Sequence, residues 1–183
     1  KAMFSYDGKA VFLYCYGDRW NISCINVWRP YLDDAEDNLI TLFRQTNPNI
    51  YVDKFVLSHD TTMIAMINKK FEVYHIVTLW SINDRYNGLE QEKDFYFQVA
   101  VDTLHFTPED KYIVCGLKDQ LVFWSIEKRE TTEVRQVLYN GNISKHHTVR
   151  HFSPNNQQLV VFNYSNDQML LCSDFASREY QKN

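Results

Sequence analysis

The chain has 183 residues, with 19 Lys+Arg against 23 Asp+Glu and a formal net charge of -4. This is the length of about one domain, and 45% apolar with 23% charged residues is a globular composition that excludes extended disorder. With 5 Gly and 4 Pro the chain is neither collagen-like nor low-complexity. The mild negative charge supplies no attraction for a phosphate backbone, so no nucleic-acid partner is expected.

From the N-terminus onward the chain repeats itself. The first unit runs Met3-Phe4-Ser5-Tyr6-Asp7-Gly8-Lys9, then an apolar stretch from Ala10 to Cys15, then Ile25-Asn26-Val27-Trp28. The second has Val56-Leu57-Ser58-His59-Asp60, Met63 to Ile67, and Val77-Thr78-Leu79-Trp80. The third has His105-Phe106-Thr107-Pro108-Glu109-Asp110-Lys111, Tyr112 to Cys115, and Leu121-Val122-Phe123-Trp124. The fourth has His151-Phe152-Ser153-Pro154-Asn155-Asn156, Leu159 to Phe162, and Met169-Leu170-Leu171-Cys172. Ser5, Ser58, Thr107 and Ser153 stand 53, 49 and 46 residues apart. Trp28, Trp80, Trp124 and Cys172 stand 52, 44 and 48 apart, so two independent anchors give one period.

Each unit has a physical logic. Hydroxyl, Pro, Asn and acidic residues after an apolar residue make tight turns, because Pro fixes φ and the short polar side chains bond nearby backbone. The apolar runs that follow are short and rich in Val, Ile, Tyr and Phe, which favours buried strands over helices. A fourth strand is expected between units, at Leu39 to Phe43, Phe95 to Val99 and Val134 to Leu138. Four antiparallel strands per unit of about 48 residues predict an all-β chain, a β-propeller of about four blades. The blades fall roughly at 1–50, 51–100, 101–145 and 146–183 in one domain or propeller segment. An open stack exposes blade faces and strand edges, so the segment is expected to belong to a propeller of seven or eight blades.

The segments Leu104 to Gly116, with Leu121-Val122-Phe123-Trp124 behind them, and Val149 to Val161 resemble the Trp-Asp (WD) repeat family in a degenerate form. The family's Asp after Trp is replaced by Arg29, Ser81, Ser125 and Ser173, and its Gly-His dipeptide is missing. The resemblance implies a non-catalytic scaffold or sensor within a multi-protein assembly, such as a signalling or apoptosome-like regulator. The first unit, from Phe4 through Trp20 to Trp28, is also similar to blades of prolyl-oligopeptidase and dipeptidyl-peptidase-like hydrolases. That alternative implies a substrate-gating propeller whose catalytic domain lies outside this chain.

No catalytic, cofactor or metal site is expected. Gly-x-Ser-x-Gly, Gly-x-Gly-x-x-Gly and the phosphate-loop pattern are absent. His146, His147 and His151 fit a loop and strand better than a zinc site. Protein partners are expected, including the remainder of its own propeller. The candidate contacts are Arg19 and Trp20, an Arg-Trp pair of the kind that anchors interfaces, and the acidic run Asp33, Asp34, Glu36 and Asp37.

No window approaches the roughly 20 apolar residues of a membrane span. The first residues do not resemble a signal peptide. Cys15, Cys24, Cys115 and Cys172 form no Cys-x-x-Cys pair and read as buried thiols in a cytoplasmic, reducing compartment. The sequons at Asn21, Asn142 and Asn163 would be glycosylated if the hydrolase alternative held and the compartment were extracellular.

Overall fold

The computed structural model describes residues 2–17, 22–29, 39–45, 47, 50–70, 74–83, 88–117, 120–128, 130–136, 138–139, 142–143, 147–152, 158–163 and 168–173. They contain strands and turns and no helix. The chain divides into two compact units, Lys1–Gln98 and Val99–Asn183.

The first unit holds two four-stranded antiparallel sheets, each a simple meander. The first sheet is β1 (Ala2–Phe4), β2 (Val11–Gly17), β3 (Ile22–Trp28) and β4 (Leu39–Gln45). The second is β5 (Ile50–Leu57), β6 (Met63–Lys70), β7 (Tyr74–Ile82) and β8 (Leu89–Phe97). Their shared core joins Ala10, Phe12, Ile25 and Val27 of the first sheet to Val52, Phe55, Leu57, Ile64, Met66 and Ile82 of the second. Burying each large apolar side chain stabilises the unit by about 1.5–3 kcal/mol. Polar bonds fix the alignment of the two sheets. The Val52 amide donates to Ser23 Oγ at 3.3 Å, and the Tyr14 hydroxyl donates to the Val52 carbonyl.

The second unit holds a four-stranded meander, β9 (Thr103–Phe106), β10 (Tyr112–Gly116), β11 (Gln120–Ser125) and β12 (Glu130–Gln136). A short pair follows, β13 (Leu138–Tyr139) with β14 (Asn142–Ile143). Last comes a three-stranded sheet, β15 (His147–Phe152), β16 (Gln158–Asn163) and β17 (Gln168–Ser173).

Two details differ from the expected strands. The strand expected from Phe95 to Val99 runs from Leu89 to Phe97, because Gln91 to Asp94 alternate between exposed and half-buried as an outer strand with one wet face. The strand expected from Val134 to Leu138 ends at Gln136, and Leu138 belongs to the short pair instead.

The first hairpin of each described meander turns in the same way. In the first, the Ser5 amide donates to the Ala10 carbonyl at 2.8 Å, the Gly8 amide to the Ser5 carbonyl at 3.0 Å, and the Ala10 amide to Ser5 Oγ at 2.9 Å. Ser58, Thr61 and Met63 repeat those bonds, as do Thr107, Asp110 and Tyr112. The fourth residue of each turn has positive φ: Gly8 at 72°, Thr61 at 60° and Asp110 at 54°. Glycine and Asp adopt this conformation readily, whereas β-branched Thr61 is strained there. Thr61 accepts a long bond, 3.4 Å, from the Tyr6 amide of the neighbouring turn. The fourth turn, after Ser153, lies outside the described residues.

In two of these turns an Asp stands two residues after the Ser. The Ser5 hydroxyl, foremost, and the Lys9 amide hold the Asp7 carboxyl below the ordinary carboxylate range. Burial pushes Asp60 up, but the Ser58 hydroxyl and the Thr62 amide and hydroxyl outweigh it and hold Asp60 low as well. A depressed folded-state value means that the stabilisation is complete above the unfolded value and is lost as pH falls through the folded one. Stability should therefore be flat near neutrality and decline below about pH 4. Urea unfolding across pH checks this: a variant carrying Asp7→Asn and Asp60→Asn should be weaker at pH 7 and show a shallower acid decline.

Candidate interaction surface

Strand register converts the sequence repeat into geometry. Val11 lies six residues after Ser5 and pairs with Trp28; Ile64 lies six after Ser58 and pairs with Trp80. Ile113 lies six after Thr107 and pairs with Trp124; Leu159 lies six after Ser153 and pairs with Cys172. The two sequence anchors are thus tied by the same cross-strand step in all four sheets.

Extended sideways, each pair becomes a row across its sheet. In the first sheet the row is Phe4, Val11, Trp28 and Leu39. In the second it is Leu57, Ile64, Trp80 and Gln91, and in the third Phe106, Ile113, Trp124 and Thr131. The apolar residues of the second row are covered by the first sheet: Trp80 meets the ring of Phe43 edge-on at 5.4 Å and 66°, and its indole N–H donates to Thr78 Oγ1 at 2.9 Å. Trp124 is 4% exposed.

In the first row Phe4, Trp28 and Leu39 lie open, whereas Val11 between Phe4 and Trp28 is buried. Phe4 is 71% exposed, Trp28 44% and Leu39 58%. Burial along β3 alternates accordingly: Ser23, Ile25 and Val27 are buried, while Cys24, Asn26 and Trp28 are not. One face of this sheet is covered and the other is open, whereas Ile113 to Gly116 of β10 and Leu121 to Ser125 of β11 are buried without a break. Exposed apolar patches on a sheet face mark sites of protein, membrane or ligand contact. Beside it, Tyr6 and His59 stack with centroids 4.3 Å apart, joining equivalent places of the first two turns.

The contacts expected from sequence are Arg19, Trp20, Asp33, Asp34, Glu36 and Asp37, and all lie outside the described residues. Arg19 and Trp20 fall in the β2–β3 connection, between Gly17 and Ile22, which pair. The acidic run falls in the β3–β4 connection, between Trp28 and Leu39, which also pair. The open face was missed because Trp28 recurs with the repeat and so read as structural. Strand pairing groups Phe4, Val11, Trp28 and Leu39 as it groups the equivalent rows of the other sheets, and only burial tells which row is open.

Among the described residues no group of three His, Cys, Asp or Glu is placed to hold a metal ion. His147 and His151 are positions of β15, and His146 lies outside the described residues. No described helix is long and apolar enough to cross a membrane.

No family model and no curated protein matches the sequence. Solved structures do. The β-propeller domain of Cps50 (Swd1) from Myceliophteria thermophila superposes with a TM-score of 0.66 at 9% identity, over 94% of this chain and 53% of that one. A chain of a mitotic checkpoint complex gives 0.64 at 11% identity, over 98% and 48%. The periplasmic gluconolactonase PpgL of Pseudomonas aeruginosa gives 0.59 at 19% identity, over 94% and 48%. The fold is that of a β-propeller built from four-stranded antiparallel sheets, and the chain spans about half the length of the solved structures it matches.

Proposed function

We propose that the chain is a non-catalytic propeller segment, of the degenerate Trp-Asp-repeat kind, that works by holding proteins together. The open Phe4 and Trp28 carry this reading, because the equivalent positions Leu57, Trp80, Phe106 and Trp124 are covered by protein to a greater degree. Its occupant is a further sheet of the same architecture or the surface of a partner in a larger assembly. Likeness to a chain of a mitotic checkpoint complex supports a role in protein assembly. Of the thiols expected to be buried, Cys115 is, whereas Cys15 is exposed and Cys24 half-buried; that the three are unbridged supports a reducing site of action.

The test uses the 183-residue chain and a Phe4→Glu, Trp28→Glu variant as paired baits. The wild-type chain is expected to retain a stoichiometric partner set that the variant loses by at least about tenfold, as a buried aromatic anchor contributes about 2 kcal/mol or more. Hydrolysis of gluconolactone with steady turnover, together with an identical partner set for the two baits, would overturn the reading.

A further inference from the structure

Two cysteines share the open face with Trp28. Cys15 of β2 and Cys24 of β3 are directly opposite one another in the register, and Arg44 of β4 is opposite Cys24 on the other side. Cys15 is exposed and Cys24 half-buried, and neither is bridged. Directly opposite residues of an antiparallel pair have Cα atoms about 4.5–5.5 Å apart, inside the range of about 4.4–6.8 Å spanned by disulfides. Burial, the neighbouring Cys15 charge and the Cys15 hydrogen bond push the Cys24 thiol up, while Arg44 and Asn26 pull against them. The Asn26 side-chain amide also donates to Cys15 Sγ at 3.7 Å.

We infer that Cys15 and Cys24 are a redox modification site, a cross-strand dithiol that closes to a disulfide on exposure to a small disulfide oxidant such as oxidised glutathione. Cys15, the exposed partner, attacks first. Its thiolate takes one sulfur of the oxidant and releases one glutathione thiolate. The Cys24 thiolate then attacks the Cys15 sulfur and displaces the second glutathione. The two protein thiols lose two protons and two electrons, and both glutathiones leave as thiols. The closed bridge ties β2 to β3 across the connection that carries Arg19 and Trp20. Cys115 takes no part, because complete burial pushes its thiol up to about 12 and keeps it inert.

Peptide mapping tests this directly. Trypsin cuts after Arg19, so Cys15 falls in the peptide 10–19 and Cys24 in the peptide 20–44. The folded chain, treated with oxidised glutathione and blocked with an alkylating agent, should yield these two peptides joined, with the mass of two hydrogens missing, and should separate them on reduction. Cys24→Ser should leave Cys15 as a mixed disulfide with glutathione, and Cys15→Ser should leave Cys24 mostly free. Recovery of both cysteines alkylated and unlinked from wild-type protein would overturn the inference. So would joining of either one to Cys172 or to a second chain in place of the other.

Discussion

Phe55→Ala is expected to destabilise the first unit by about 3–5 kcal/mol. Phe55 is wholly buried at the junction of the two sheets, 6.4 Å from the ring of Tyr14 and among Phe12, Ile25, Val52 and Ile64. Alanine removes the transfer energy of the ring and leaves a cavity whose walls belong to two separate sheets. The walls on β2, β3 and β6 carry ladders on both sides and cannot easily collapse into it. A loss of this size is a large part of the roughly 5–15 kcal/mol that holds a typical domain together. Phe4→Ala is the matched control, because that ring is mostly in water and its loss should stay within about 0.5 kcal/mol. Urea unfolding followed by circular dichroism checks both; equal effects would mean that the junction is not packed as described.

Ser58→Ala is the second large effect, about 1–3 kcal/mol. Ser58 is fully buried, and its hydroxyl donates to Asp60 Oδ1 at 2.6 Å while accepting the Met63 amide at 2.9 Å. Alanine leaves that amide without its acceptor and Asp60 without its strongest donor. Ser58→Thr should restore most of the loss, because Thr107 occupies the same place in the third turn and accepts the Tyr112 amide in the same way. A threonine variant as weak as the alanine one would contradict the equivalence of the turns. The same denaturation series reads the result.

Those turns also explain how much of the fold was legible. The signal of a Ser or Thr after an apolar residue, followed by Pro, Asn or an acidic residue, is local chemistry, and it located the Ser5, Ser58 and Thr107 turns before any contact was known. Short apolar runs located β2, β6 and β10 for the same reason. The outer strands were harder. Glu90 to Lys93 of β8 have no apolar run to mark them, because half of that strand faces water. The β13–β14 pair was missed, although Asn140-Gly141 between Tyr139 and Asn142 is a strong hairpin signal. The open face was illegible in principle from composition: Trp28, Trp80 and Trp124 look alike as letters, and only neighbours in space decide which is covered. The cysteine pair was hidden likewise, since only the β2–β3 register sets Cys15 opposite Cys24.

Residue-resolved hydroxyl-radical footprinting of the tryptophans tests the open face most directly, in the isolated chain and again in its purified complex with a captured partner. In the isolated chain Trp28 should be oxidised fastest, Trp80 more slowly and Trp124 hardly at all, and on assembly Trp28 should become protected. Equal oxidation of Trp28 and Trp124 in the isolated chain, or a Trp28 that stays reactive in the complex, would contradict it.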